Sequence, residues 1–324
     1  MSSFGSGRLH HATCLSWLVL GVTMTSHADE PRQSTPLVMS GRTPMVEVRV
    51  NGEGPFRFVV DPGNETLIDR GLAERLGLSG DASAQDTVLV ERLSVAGDEL
   101  GPVKAALWEA ESMSPGSVAP DGIMALSLFA ERLLTIDYAK REFVLESGAL
   151  PPSNGGDVLD YSLTKEGAVA IPMSVGGLEV QARMDVGVLG GFTFPTDYVE
   201  KLSLVAAPGR IGWSFTSEGK KVEIVGARLD GFAQIGKHRI ERPGIDFSEA
   251  YTDVFVGYDA VNHFAVTFDQ TNERVGFHAD LEHDEFLLES AARVPALAEG
   301  GADLRTAFNR EPDHVRMVVM LSPT

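Results

Sequence analysis

One short pattern occurs twice in this chain. A run of β-forming residues ends in an aspartate, a glycine follows two positions later, and an apolar run resumes after the turn. The first copy reads FRFVVDPGN over 56–64, and the second reads VQARMDVGV over 180–188. A strand, a carboxylate on a tight turn and a return strand, used twice, predict that Asp61 and Asp185 face each other. Such a pair is an acid–base device that needs no metal and no cofactor.

The residues around this pattern repeat as well. Asn51-Gly52 precedes the first copy and Gly176-Gly177 the second, and such dipeptides are typical of two-residue hairpin turns. Downstream, DGIMAL and DVFVGY begin at Asp121 and Asp253, which lie 132 positions apart (253 − 121). The aspartates of the two turns lie 124 positions apart (185 − 61), so the second copy is slightly longer. A period this long indicates a duplicated domain rather than a solenoid.

The rest of the pattern is mainly β. Alternating apolar runs recur along the chain, and its 34 glycines and 17 prolines favour many turns over long helices. Three short helices are predicted, near 69–76, 127–132 and 197–202. Asp69 is a candidate N-cap of the first. Trp108 and Trp213 are interpreted as core residues, with a place in the wall of a cleft as the alternative.

The N-terminus is typical of an export signal. An apolar run from Leu15 to Met24 follows a weakly basic start, and Ser26-His27-Ala28 fits a small-x-small cleavage site. The run is too short to span a bilayer comfortably. The single cysteine, Cys14, lies within it, so disulfides and cysteine-ligated zinc are excluded from a mature chain. We therefore expect a periplasmic or secreted protein.

The chain divides into four predicted segments. The proline- and glycine-rich stretch 150–156 is the best linker candidate. The segments are a signal peptide over 1–28, an N-terminal lobe over 29–155, a C-terminal lobe over 156–280 and a C-terminal extension over 281–324. The extension contains a helix-like stretch at 303–309 and a strand-like stretch at 315–324. Two interpretations stay open: an ordinary terminal strand or tail, or the truncated start of a thioredoxin-like domain, which this helix and strand resemble.

Composition narrows the function classes. The net charge of −19 argues against nucleic acid or an anionic membrane surface as a partner. The eight histidines show no metal-ligand spacing, and Gly190-Gly191 lacks the Lys-Ser/Thr of a phosphate loop. No stretch after the signal is apolar for long enough to form a transmembrane helix. We expect a monomer without metal or cofactor.

Four segments together resemble the aspartic peptidases of pepsin-like and retropepsin-like fold, in particular the two-lobed bacterial kind. FVVDPGN and MDVGV correspond to that family's apolar-apolar-Asp-Thr-Gly motifs, and DGIMAL and DVFVGY to its apolar-apolar-Gly strands. The resemblance covers about residues 43–280. It implies two β-barrel lobes, related by internal duplication, with a cleft between them. Asp61 and Asp185 would be the catalytic residues, and Gly63, Asn64 and Gly187 would form the active-site turns.

Three departures from the family pattern bear on activity. Pro62 and Val186 replace the two threonines whose hydroxyls, in the family, hydrogen-bond to the opposite loop. Ala125 replaces the glycine of the threaded strand, where a close backbone approach is expected. Asn64 and Val188 replace a small residue that helps to hold each aspartate, and Asn64 alone retains a donor for its carboxylate.

Two functions remain open at this point. The first is an exported aspartic endopeptidase, whose carboxylates share one proton and hold a water that attacks an extended peptide. The second is an inactive module of the same fold that binds extended peptides or partner proteins. The altered turns favour the second function. The presence of both aspartates and of both glycines, Gly63 and Gly187, favours the first.

Overall fold

The computed structural model describes residues 32–279, apart from 64, 79, 81–85, 111–117, 186–189 and 216–219. The predicted signal peptide over 1–28 and the extension over 281–324 therefore lie outside the described residues. Within them the chain is mainly β, as its sequence predicts. None of the helices in this part of the chain has the length and apolar character needed to cross a membrane.

Short strands joined by tight turns make up most of the described chain. Up to residue 146 they are β1 (Gln33–Pro36), β2 (Val38–Ser40), β3 (Thr43–Val50), β4 (Glu53–Asp61), β5 (Leu67–Asp69), β6 (Thr87–Val90), β7 (Leu93–Val95), β8 (Asp98–Leu100), β9 (Val103–Trp108), β10 (Gly122–Ala125), β11 (Leu133–Asp137) and β12 (Glu142–Glu146). Beyond it they are β13 (Val158–Asp160), β14 (Ser162–Leu163), β15 (Val169–Val175), β16 (Leu178–Met184), β17 (Phe192–Phe194), β18 (Gly209–Phe215), β19 (Lys221–Arg228), β20 (Phe232–Ile235), β21 (His238–Glu241), β22 (Gly244–Ser248), β23 (Val254–Val256), β24 (Phe264–Asp269) and β25 (Arg274–Ala279).

The described strands form three sheets. One has the order β6-β9-β5-β10-β4-β3-β7-β8, with β2 paired to β3. Another has the order β18-β19-β22-β17-β23-β16-β15-β20-β21, with β14 paired to β15. The third, β1-β12-β11-β24-β25-β13, combines strands from both halves of the chain. Buried side chains from all three sheets belong to one continuous core cluster.

The two larger sheets share strand order and strand directions. β4 is parallel to β10, β10 is antiparallel to β5, and β5 is parallel to β9. β16, β23, β17 and β22 repeat these directions. The registers also agree, because Phe58 pairs with Gly122 and Ala182 with Val254. Those pairs are related by the same 124-position and 132-position spacings that the sequence shows (182 − 58 and 254 − 122).

The predicted hairpins are confirmed. β3 and β4 are joined at Asn51-Gly52, where φ is 51° and 89°. β15 and β16 are joined at Gly176-Gly177, where φ is 56° and 83°. Positive φ at both central residues is the signature of the two-residue turn that matches strand twist. The second strand of the first hairpin ends at Asp61, and Asp185 directly follows the second strand of the other hairpin.

The first predicted helix is confirmed, and the other two are shorter than expected. α1 spans Arg70–Arg75, and the Asp69 side chain caps it by accepting a hydrogen bond from Leu72 N at 2.8 Å. The regions near 127–132 and 197–202 contain only single 3-10 turns, over Leu126–Phe129 and Thr196–Tyr198. The only other described α-helix, α2, spans Tyr258–Val261. Each short turn gives way within a few residues to extended or irregular chain, which leaves no room for a longer helix.

The interpretation of Trp213 as a core residue is wrong. Trp108 packs against the core, but Trp213 lies on β18, at the edge of its sheet, and is 50% exposed. The cations of Arg210 and Lys221 lie 5.5 and 4.7 Å from its ring centroid. β18 has no counterpart among the described strands of the first half. A buried position therefore could not be transferred from the first copy to Trp213.

A pair of threonines lies at the centre of the sheet shared by both halves. β11 and β24 are antiparallel, with Thr135 opposite Thr267, and their hydroxyls hydrogen-bond at 2.7 Å. These residues are 132 positions apart (267 − 135), the same spacing as the closing segments. Each thus pairs with the residue that occupies its own place in the other copy.

Replacing one of these threonines with valine should lower the free energy of unfolding by about 1 kcal/mol, because it leaves the partner hydroxyl without its hydrogen bond. In the double variant, Thr135→Val with Thr267→Val, the loss should be smaller than the sum of the two single losses, since both hydroxyls are then gone. Urea unfolding of the four proteins measures the coupling. Strictly additive losses would show that the hydroxyls do not interact.

Candidate active site

Asp61 is the last residue of β4. It pairs with Ala125 of the parallel strand β10 and its side chain is fully buried. Its carboxylate oxygen Oδ1 accepts a hydrogen bond from the Gly63 backbone N–H at 2.8 Å. A carboxylate that bonds to the backbone two residues further on closes an Asx turn. The sequence Asp-Pro-Gly therefore ends the strand and fixes the acid group in one step.

Asp185 occupies the corresponding place in the other sheet. It directly follows β16, and its backbone N–H donates to the Val256 carbonyl of β23 at 3.1 Å. Its side chain is half-buried. The rest of its turn, 186–189, lies outside the described residues, and so do two predicted turn residues, Asn64 and Gly187.

The turn that follows Asp61 lies directly against the end of β16. A Cβ built on Gly63 would lie 3.1 Å from the Met184 carbonyl oxygen and 3.3 Å from Asp61 Oδ1. The Pro62 carbonyl accepts a hydrogen bond from Val169 N at 3.3 Å. A residue with a side chain at position 63 would thus push the turn away from the other sheet. Glycine allows the backbone next to Asp61 to touch the backbone next to Asp185.

An arginine joins the same two segments. Arg183, on β16, donates from Nη2 to the Gly63 carbonyl at 2.6 Å. No sequence pattern pointed to Arg183. The signal that could have found it is its place in the repeat, because the corresponding residue of the first copy is Val59, which is fully buried (183 − 124).

Tyr138 lies near the buried carboxylate of Asp61. Burial raises the pKa of Tyr138 far above its usual value, and the negative charge of Asp61 adds to that effect. The rings of Tyr138 and Tyr258 meet edge to face, with centroids 5.8 Å apart. Tyr138 therefore stays a neutral phenol, and it provides a polar but uncharged boundary to the site.

The close backbone approach expected at position 125 is found at Gly122 instead. A Cβ on Gly122 would lie 2.3 Å from the Phe58 ring and 2.6 Å from the Leu67 carbonyl oxygen. Ala125, by contrast, is accommodated and its N–H donates to the Thr66 hydroxyl at 3.2 Å. Because β10 runs between β4 and β5, its first residue lies where the space is smallest.

A cavity of about 510 Å³ lies beside Gly190 and Gly191, which precede β17. Its lining includes Gly190 and Gly191, the buried face of Asp246, and an ion pair between Arg42 and Asp259. Burial raises the pKa of Asp246, and the charge of Arg42 opposes that rise. Among the described residues, no group of three or more His, Cys, Asp or Glu side chains is arranged to hold a metal ion.

One segment of this chain is similar to a known protein family. Residues 46–121 match the family model described as aspartyl protease. The matched segment runs from β3 to the start of β10 and includes Asp61 and Gly63. It ends before Asp185. No curated protein matches the sequence.

Proposed function

We propose that this chain is an exported aspartic endopeptidase in which Asp61 and Asp185 act as one catalytic pair. The observation that carries the proposal is the close approach of the Asp61 turn to the end of β16, immediately before Asp185, where a Cβ on Gly63 would lie 3.1 Å from the Met184 carbonyl oxygen. The aspartyl protease match over 46–121, which includes the first aspartate, supports the same chemistry.

The proposal includes two lobes that arose by internal duplication, over 29–155 and 156–280. Two observations support it: the shared strand order and register of the two larger sheets, and the pairing of Thr135 with Thr267. An axis of approximate two-fold symmetry passing between these threonines would relate the lobes. The same axis would relate Asp61 to Asp185, as a symmetric carboxylate pair requires.

In the proposed reaction, the two carboxyl groups share one proton and hold a water molecule between them. Two carboxylates about 3 Å apart cannot both ionise easily, so one stays protonated. The ionised member takes a proton from the water, and the water oxygen attacks the peptide carbonyl. The protonated member polarises that carbonyl and stabilises the charge that develops on it. When the tetrahedral intermediate collapses, the C–N bond breaks and the leaving nitrogen takes the proton that the first carboxylate received from the water.

The substrate of this reaction would be an extended peptide or a mobile segment of a protein. An extended chain can add to a sheet by main-chain hydrogen bonds, which present every second side chain to the enzyme. The acidic net charge of −19 disfavours nucleic acid as an alternative ligand. We also propose that the protein is periplasmic or secreted and that it is a monomer.

A peptide-library digest between pH 3 and pH 7 tests this function. We expect cleavage with an acidic optimum, because one carboxyl group must stay protonated and the other must ionise. A statine-type inhibitor, which mimics the hydrated carbonyl, should stop the cleavage, and a chelator should leave it unchanged. Peptide binding without cleavage at any pH would contradict the proposal and support the inactive binding module instead.

A further inference from the structure

Arg183 occupies a position that would suit a core side chain. It lies on β16 between Ala170 of β15 and Phe255 of β23. The corresponding residue of the first copy, Val59, is fully buried. Placing an arginine where the fold accommodates a valine costs free energy unless the guanidinium finds partners. The contacts of Arg183 therefore indicate what an arginine provides at this position.

The guanidinium of Arg183 is directed at the turn of the other sheet. Its Nη2 donates to the Gly63 carbonyl at 2.6 Å, and its Cζ lies 5.5 Å from the Phe255 ring centroid. Its Nε is buried without a hydrogen-bond partner in the part of the chain that the structure describes. Part of this guanidinium has thus left water, and its hydrogen bond to the protein is the one to the turn.

Gly63 connects that contact to the acid group. Its carbonyl accepts from Arg183, while its N–H donates to Asp61 Oδ1 at 2.8 Å. Hydrogen bonds that involve a charged donor are about twice as strong as neutral ones. A movement of the Arg183 guanidinium would therefore move Gly63 and, with it, the carboxylate of Asp61.

We infer that Arg183 is a positioning residue of the Asp61/Asp185 pair: it ties the Gly63 carbonyl to β16 and keeps a fixed positive charge beside the turn that holds Asp61. The inference rests on the proposed function. Pro62 has no hydroxyl and no backbone N–H, so it cannot donate a hydrogen bond from this turn to the other sheet. Arg183 connects the two instead, by donating a hydrogen bond from β16 to the Gly63 carbonyl of the turn.

The charged groups around Arg183 determine in which direction it shifts the pKa of the nearby carboxyl groups. Asp61 lies beyond the Gly63 turn, and Asp185 follows Arg183 by two residues on its own strand. Glu166, on the exposed turn before β15, has a lowered pKa, mainly through hydrogen bonds from its own N–H and from Thr164, with a smaller contribution from Arg183. Removing the cation should raise the pKa of nearby carboxyl groups. The acidic limb of the activity profile should then move to higher pH.

The test measures kcat, KM and the pH profile of peptide cleavage for the full chain and three variants. Arg183→Met keeps an apolar stem but removes the charge and the donor, and Arg183→Lys keeps both. Arg274→Met is the matched control, because Arg274 also donates to a distant backbone carbonyl, Leu150 O at 3.1 Å, and also has a buried Nε without a hydrogen bond, although that Nε lies 3.9 Å from Asp160 Oδ1.

We expect Arg183→Met to lower kcat by about 10-fold to 100-fold, the range of one charge-assisted hydrogen bond, with little change in KM and with its acidic limb at higher pH. Arg183→Lys should keep the acidic limb of the parent's pH profile and part of the parent's kcat. Arg274→Met should lose stability but keep the parent's kcat and profile.

Equal kcat and equal pH profiles for Arg183→Met and Arg274→Met would overturn the positioning role while leaving the peptidase intact. If Arg183→Met does not fold, a pH profile of Arg183→Lys displaced from that of the parent would overturn it equally. A parent chain that cleaves no peptide at any pH would remove the proposed function itself, and this inference with it.

Discussion

Replacing Asp61 or Asp185 with asparagine is expected to abolish peptide hydrolysis, with a loss of at least about 10³-fold for either change. Asparagine has the shape of aspartate but cannot ionise or share a proton. Each single change therefore removes both the base and the proton donor of the pair. The double variant should be no worse than either single variant, because the two residues act as one unit.

The matched control for this experiment is Asp69→Asn. Asp69 also lies at the end of a strand and accepts backbone hydrogen bonds, from Leu72 N at 2.8 Å, which caps α1, and from Ala110 N at 3.3 Å. Asparagine caps a helix about as well as aspartate but gives up the hydrogen bond from Ala110, so activity should be kept with a stability loss of about 1 kcal/mol. Cleavage that survives in the Asp61→Asn, Asp185→Asn double variant would show that another part of the chain carries the chemistry.

The largest expected effect on stability is that of Gly122→Ala. β10 runs between β4 and β5, and an added Cβ would lie 2.3 Å from the Phe58 ring and 2.6 Å from the Leu67 carbonyl oxygen. The Leu67 backbone on one side and the fully buried Phe58 ring on the other cannot both move to make room for the added Cβ. Overpacking of this kind costs about 1–3 kcal/mol or more. The denaturant midpoint of unfolding should fall accordingly.

Gly244→Ala is the matched control for that change. Gly244 begins β22, and a Cβ at that position would meet no atom of the described residues within 4 Å. Alanine there should leave stability unchanged or raise it slightly, because it restricts the unfolded chain. If both alanine variants unfold at the parent's midpoint, β10 does not pass as closely to Phe58 as the structure indicates.

Local features of this fold could be predicted from sequence because neighbouring residues determine them. Asn51-Gly52 fixes its hairpin by adopting positive φ, and Asp69 caps α1 with its own side chain. Gly122 is different. Its need for glycine comes from Phe58 and Leu67, which lie far away in the chain, and the corresponding residue of the second copy is Val254. No local pattern distinguishes the two positions.

In the candidate site, too, the features set by neighbouring residues could be predicted from sequence, and the contacts between distant residues could not. The two aspartates could be predicted as a candidate pair, because a strand that ends in Asp-x-Gly is visible in the sequence and occurs twice. Arg183 and Tyr138 were not identified, since each looks like an ordinary strand or turn residue. Their relation to Asp61 exists only after β16 and β11 have packed beside it. Contacts between sheets depend on tertiary packing, which periodicity does not encode.

The separation of the Asp61 and Asp185 carboxyl groups tests the central claim most directly. It can be measured in a crystal structure of the chain grown at acidic pH. The account predicts that the nearest carboxyl oxygens lie about 3 Å apart, close enough to share a proton and to hold one water. A separation greater than about 8 Å in a well-ordered site would contradict it, because carboxyl groups that far apart titrate nearly independently.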